Sequence, residues 1–279
     1  IYSNGFLYVL TSGQIFYILQ LTNNLYLYNS INLWATYTSM AYYNNILYLA
    51  NSSKPLLTVI TTGNSLTIGP SYNWYVSRVE TDWFGGVWLQ NSPTSIVELN
   101  SRYTITAINP INDFVIRDTN ITIATSGGLR HWNYIQGKVF TYNFSTSAYP
   151  VGLARGRADD IWVSMSGANK VYNFANDGTN LGYIITKSGP FAIGFDQFGY
   201  LWVSEYNSGT VSCYWPYLNI GGPYPIVSVS VPYLYPYALS VVPTNNSVSG
   251  FIFIGSGDMG GTAAISLLRY AYVLNSNNF

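Results

Sequence analysis

A three-residue apolar signature recurs along this chain. It reads Leu7-Tyr8-Val9, Leu47-Tyr48-Leu49, Val87-Trp88-Leu89, Ile121-Thr122-Ile123, Ile161-Trp162-Val163, Leu201-Trp202-Val203 and Ile252-Phe253-Ile254. Successive signatures begin 40, 40, 34, 40, 40 and 51 residues apart. Such regularity marks a repeat, and a period near 40 built from short apolar runs and turns is that of propeller blades, each a four-stranded sheet. A β-sandwich or a pair of sandwiches is the alternative for an all-β chain of 279 residues, but neither generates this period. The predicted fold is therefore all-β: a single seven-bladed β-propeller domain over residues 1–279, with four-stranded blades of about 40 residues and one blade short of a strand.

One unit shows how a blade is encoded. Phe191-Ala-Ile-Gly-Phe195 reads as an innermost strand whose small residues permit close approach near the axis, and Asp196-Gln-Phe-Gly199 as a tight turn. Leu201-Trp-Val-Ser204 is continuous in apolar character, as a strand buried on both faces must be. Thr210–Tyr214 and Ile226–Val231 complete the unit, the last alternating with Ser because an outer edge meets solvent. Pro150-Val-Gly-Leu153, Pro190-Phe-Ala-Ile193 and Pro236-Tyr-Ala-Leu239 open successive blades alike. Ring closure is open to two readings: Ile1-Tyr2 is at most a stub of a first strand, and Tyr270–Leu274 could end the last blade or complete the first.

Composition narrows the function classes. Charged residues make up 8% of the chain, against about 25% in an average soluble protein, and 11 Lys+Arg balance 11 Asp+Glu. No basic surface exists to attract nucleic acid. The longest uncharged apolar run, Ile226–Val242, is broken by Pro232 and Pro236 and alternates in the manner of a strand, so no membrane span is expected. Cys213 is the only cysteine, which excludes an internal disulfide and paired-cysteine zinc or redox motifs. The start at Ile1 suggests a processed or truncated product, and no signal peptide is visible. Sequons stand at Asn51, Asn120, Asn143 and Asn245, with Asn51, placed after a second strand, the first candidate for glycan. Sparse charge and sequons together favour an extracellular protein.

Asp196-x-x-Gly199-x-Leu-Trp-Val-Ser-Glu205-x-Asn207-x-x-x-Val211 resembles an NHL-type repeat, especially those of virginiamycin B lyase-like propellers, and Asp160-Ile-Trp-Val-Ser-Met-Ser-Gly-Ala-Asn-Lys-Val171 is a second such unit. Leu47-Tyr-Leu-Ala-Asn-Ser-Ser53, followed by Leu57-Thr-Val-Ile60, is similar to the YVTN repeats of archaeal surface-layer propellers. The matches cover roughly residues 150–242 and 40–62, and they specify architecture more than function. The resemblance implies, for a lyase, a histidine general base with acidic and metal-assisting partners. No residues of this chain occupy matched motif positions for that set.

The chemistry-bearing residues are few. His131, the sole histidine, sits at a third-strand position and reads as structural or surface, while Cys213 reads as a packed small hydrophobe. Asp159-Asp160 and Asp196 fall at turns, where carboxylates cap backbone amides. Asp258, within Gly255–Gly261, lacks the following helix and Lys of a phosphate loop. Arg78, Glu80, Arg117, Arg155 and Arg157 fall on or just beyond innermost strands, where they form either an ion-pair network, with Asp118 contributing, or a polar channel for a small anion. Aromatic residues at strand ends, including Tyr42-Tyr43, Trp74-Tyr75, Tyr214–Tyr217 and Tyr233–Tyr237, could stack on a sugar or a protein partner.

These features lead to a non-enzymatic extracellular propeller, structural or adhesive, on a cell surface, appendage or virion of archaeal type, held by protein partners or self-assembly. No catalytic residue, metal or cofactor is expected. A lyase- or lactonase-like enzyme working in the central cleft and a binding module for glycan or small anion remain the alternatives.

Overall fold

The computed structural model describes residues 2–271 apart from 4–5, 11–14, 22–24, 34–36, 52, 63–64, 74–75, 83, 100–102, 108, 145–146, 157, 217, 219–221, 232–234, 244–248 and 258–262. Two compact units result, Ile1–Ile111 with Ile116–Asn120, and Asn112–Val115 with Ile121–Phe279. Among the described residues the strands form seven antiparallel sheets, six of four strands and one of three, every one a meander in chain order. Their second strands are Phe6–Leu10, Ile46–Asn51, Val87–Ser92, Asn120–Thr125, Ile161–Met165, Leu201–Glu205 and Ser249–Gly257, so all seven apolar signatures occupy the same strand position. The only helical segments described are two 3₁₀ turns, Ser166–Ala168 and Tyr206–Ser208, each directly after a second strand.

The continuous apolar character of the second strands follows from burial on both faces. In the fifth sheet Ile161, Val163 and Met165 join a core with Leu129 and Phe174, whereas Trp162 joins another with Ile193, Leu201 and Val203 of the sixth. In the sixth sheet Trp202 turns the other way, toward Ile252 and Ile254 of the seventh. Period-two alternation thus serves two cores at once, one on either side of each sheet. Within the first unit, Leu47, Leu49 and Tyr8 form one such layer and Leu89, Val79 and Leu56 the next. Each fully buried side chain of this kind contributes about 1.5–3 kcal/mol.

First strands of successive sheets are tied by side-chain bonds one repeat apart. Val79 N donates to Ser39 Oγ at 3.1 Å, and Leu153 N to Asp113 Oδ2 at 2.8 Å. These bonds satisfy backbone groups that strand pairing leaves over.

The terminal strands bear on the two readings of ring closure. Tyr2–Ser3 is indeed a two-residue first strand. Tyr270, however, belongs to Ala263–Ala271, which pairs along its whole length with Ser249–Gly257 as a third strand. That hairpin, nine residues a side, places Tyr270 at the end of the last sheet, the first of the two readings; residues 272–274 lie outside the described residues.

Candidate binding surfaces and buried polar sites

The charged residues of the first strands engage partners nearby. Arg78 Nη2 lies 3.0 Å from Glu80 Oε1, with both side chains about a third exposed, so solvent screens the pair. Arg117 is half-buried at the end of Ile111–Arg117, and Asp118 follows in a turn at φ 50°. The buried Arg155 donates from Nη1 to Asp159 O at 2.9 Å and to Asn176 Oδ1 at 2.6 Å, while Asn176 Nδ2 donates to Asp159 Oδ2 at 2.9 Å. Its guanidinium is built into a corner of its own sheet. Arg157 lies outside the described residues, as do Asn245 and Asp258.

His131 is 1% exposed. Its Nδ1 is 2.8 Å from Thr122 Oγ1 on the neighbouring strand, and the ring stacks on Phe140 at 5.2 Å. Burial, reinforced by the Arg155 charge and partly opposed by Asp159, lowers its pKa from 6.5 to about 4. The imidazole is a sealed, neutral element of the core. Cys213 is likewise fully buried among Trp202, Val211 and Ile252.

The sequons are unequal. Asn143 is exposed at the end of a fourth strand. Asn51 is half-buried, its Oδ1 accepting Ser53 N at 2.6 Å in a local turn, and Asn120 is half-buried at the start of a second strand.

Glu205, the acidic residue of the NHL-like motif, ends the second strand Leu201–Glu205 and is the centre of a buried polar corner. Thr210 Oγ1 and Ser212 Oγ each donate to Oε2 at 2.6 Å. Lys187 N donates to Oε1 at 3.0 Å, and the Tyr214 hydroxyl donates to the same oxygen. Burial and the adjoining Glu205 push the Tyr214 phenol far above its ordinary pKa. Ser212 continues to Ser228 at 2.8 Å, whose Oγ accepts Lys187 Nζ at 2.6 Å. The signal available in the sequence was the cluster of hydroxyl residues at alternate positions of the next strand, Thr210, Ser212 and Tyr214.

Two groups of aromatic and aliphatic side chains reach solvent. At the end where first strands begin, Tyr206 stacks on Tyr235 at 4.6 Å and meets Tyr237 edge-on at 5.3 Å, with Phe191 at 6.0 Å. Around the outer strands, Tyr224, in the loop before the last strand of the sixth sheet, is 71% exposed and Trp215, just past the third strand, 45%, and Leu181, Ile226 and Val227 are exposed as well. Trp215 packs edge-on against Tyr200 at 4.6 Å. Tyr217, Tyr233, Trp74 and Tyr75 lie outside the described residues. Among the described residues no three His, Cys, Asp or Glu side chains are grouped to hold a metal ion, and no helix is long and apolar enough to cross a membrane.

No family profile matches the chain, and no curated protein matches it. Among solved structures, it is similar to virginiamycin B lyase from Staphylococcus aureus, with 14% identity, coverage of 86% of this chain and 85% of that one, and a TM-score of 0.61. The WD40 β-propeller domain of Doa1 gives 11% identity, 94% and 89% coverage, and a TM-score of 0.72. BBS1N, crystallised in complex with ARL6DN, gives 14% identity, 96% and 87% coverage, and a TM-score of 0.71. At such identities the likeness concerns the fold: the chain is an all-β protein with a β-propeller fold that resembles virginiamycin B lyase-like propellers.

Proposed function

We propose that this protein is a non-enzymatic, extracellular propeller that serves as a structural or adhesive component of a cell or virion surface of archaeal type, bearing NHL- and YVTN-like repeats. The observation that carries the reading is the exposed apolar outer edge: Tyr224, Ile226 and Val227 entering the last strand of the sixth sheet, and Leu181 in the last strand of the fifth. An outermost strand offers unpaired backbone groups, and apolar side chains there invite another chain to cover them. Sparse charge supports the same reading, because few ionic groups protect such an edge from association. BBS1N, similar in fold, was crystallised in complex with ARL6DN, an example of such a fold in a protein complex.

The single histidine weighs against a lyase. A general base must reach its substrate, and His131 is enclosed by Phe140 and Thr122. Incubation with a streptogramin B antibiotic is expected to leave the antibiotic intact. Glycan is expected first on Asn143, the exposed sequon, to be read by mass spectrometry of native material. Analytical ultracentrifugation of the full chain tests assembly: self-association is expected, and Ile226→Lys with Val227→Lys should abolish it. A monomer at every concentration would remove the support for this edge as an assembly surface.

A further inference from the structure

The second exposed cluster has a different chemistry from the outer edge. Its four rings come from three elements: Phe191 from the strand Pro190–Phe195, Tyr206 from the 3₁₀ turn, and Tyr235 and Tyr237 from the strand Tyr235–Pro243. Tyr237 is 44% exposed, and its ring meets that of Tyr206 edge-on at 5.3 Å. Beside the rings stand exposed Asn207 and Ser188 and the half-buried Ser208. Ser208 Oγ accepts Ser188 N at 3.0 Å and donates to Ser188 O at 3.3 Å. Asn207 Nδ2 donates to Ser188 Oγ at 3.5 Å. The rim closes over Gly189 at φ 72°, where a Cβ would stand 2.8 Å from Asn207 Nδ2.

The two ionic residues adjoining the cluster in sequence turn away from it. Glu205 is buried in its own corner, and Lys187 commits its ammonium to Ser228. What faces solvent is therefore rings, phenol hydroxyls, an amide and serine hydroxyls.

We propose that Phe191, Tyr206, Tyr235 and Tyr237, with Asn207 and Ser188 at the rim, form a binding platform for a neutral carbohydrate. A pyranose presents a face of C–H bonds and an equator of hydroxyls. The first packs on an aromatic ring, and the second needs neutral donors and acceptors at the ring's edge. Among the described residues no cation stands beside these rings to receive a uronic or sialic acid. The cluster also lacks, among the described residues, the aliphatic side chains that make the outer edge suited to protein. Mutual stacking holds the rings in place before any ligand arrives, which lowers the entropic cost of binding. The site lies apart from the outer edge, so it stands whether or not that edge assembles.

The test is a titration of the full chain with chitotetraose, mannotetraose and cellotetraose, with tetragalacturonate as the charged control. Saturation-transfer NMR and tyrosine fluorescence supply the readouts. At least one neutral sugar is expected to bind in the millimolar range or better. Tyr237→Ala should weaken it about tenfold or more without changing Tm, and Tyr237→Phe should weaken it less, because the ring remains. Ile226→Lys with Val227→Lys should leave sugar binding unchanged. The proposal is overturned if no neutral sugar binds at about 10 mM, a concentration that would reveal even a very weak site. Tighter binding of galacturonate, an unchanged affinity in Tyr237→Ala, or loss of self-association rather than of sugar binding in that variant would overturn it equally.

Discussion

The fifth and sixth sheets share a backbone plan and differ in how its two buried corners are filled. At the first corner, Asp196 N donates to Tyr200 O at 3.1 Å and Gly199 N to Asp196 O at 3.0 Å; forty residues earlier Gly156 N donates to Asp160 O at 3.0 Å and Asp159 N to Gly156 O at 3.2 Å. The turn is the same, with Gly199 at φ 86° answered by Asp159 at φ 63°. In the sixth sheet Asp196 gathers Phe198 N, Tyr200 N and the Trp202 indole N–H at 2.9–3.0 Å. The third sheet repeats this with Asp82 and Trp88. In the fifth, the indole of Trp162 donates instead to Asp160 Oδ2 at 2.5 Å, and Gly156 makes the room. At the second corner Glu205, Tyr214 and Ser212 stand where the fifth sheet has Met165, Phe174 and Tyr172. A repeat therefore fixes backbone positions and leaves each buried corner free to be solved with polar or apolar groups, provided every polar group finds a partner.

The largest effect should come from the shared element. Trp202→Ala removes a buried ring and leaves Asp196 Oδ2 without its indole, and should cost about 3–5 kcal/mol in chemical denaturation. Trp162→Ala should cost as much if the two corners are energetically alike. A difference above about 1 kcal/mol would show that the position of the carboxylate matters as well as its presence.

The second corner separates the sheets. Glu205→Met installs the residue of the fifth sheet but takes the acceptor from the Tyr214 hydroxyl and Thr210, while Ser212 keeps its bond to Ser228 and Lys187 N its longer bond to the Tyr214 oxygen, at about 3–4 kcal/mol. Adding Tyr214→Phe removes one orphan, so the double variant should be more stable than the sum of the singles by about 1–2 kcal/mol. Strict additivity, measured in a double-mutant cycle, would mean that the corner is no unit.

How far these features were legible differs in kind. The period and the placement of the second strands could be read because burial on both faces demands an uninterrupted apolar triplet, and Leu201-Trp202-Val203 offers little else. The Glu205 corner could not, because whether an acid is buried depends on side chains from another strand. Tyr214 and Lys187 N reach it from 9 and 18 residues away. Tyr237 was legible as a strand-end aromatic, but its grouping with Tyr206 and Phe191 needs the third dimension. Which of its two places Tyr270 takes could not be read, because hairpin length is set by pairing, which sequence periodicity does not report.

His131 sharpens the contrast between polar groups that are neutral when buried and those that are satisfied by donors. Its folded pKa of about 4 lies below the 6.5 of an ordinary histidine, so the unfolded chain binds a proton that the folded chain refuses. The resulting stability is complete above pH 6.5 and is lost as pH falls toward 4, about 3 kcal/mol in all. His131→Gln should flatten the stability profile across that window. An unchanged slope would assign the acid sensitivity to carboxylates instead.

The smallest effect tests whether the two indole clamps are interchangeable. A Cβ at Gly156 would stand 2.1 Å from Asp160 Oδ1, so Gly156→Ala must push that carboxylate off the Trp162 indole, at about 1–2 kcal/mol. Gly156→Asp should be worse, since it sets a second acid against Asp160. Combined with Asp160→Tyr it reproduces the residues of the sixth sheet, and the introduced carboxylate can then take the indole from six residues upstream, as Asp196 does for Trp202. The double variant is expected to recover to within about 1 kcal/mol of the original protein, because the backbone turn already matches. Failure to recover would show that Asp159, held at φ 63° and engaged with Arg155 and Asn176, ties the fifth sheet to its own solution.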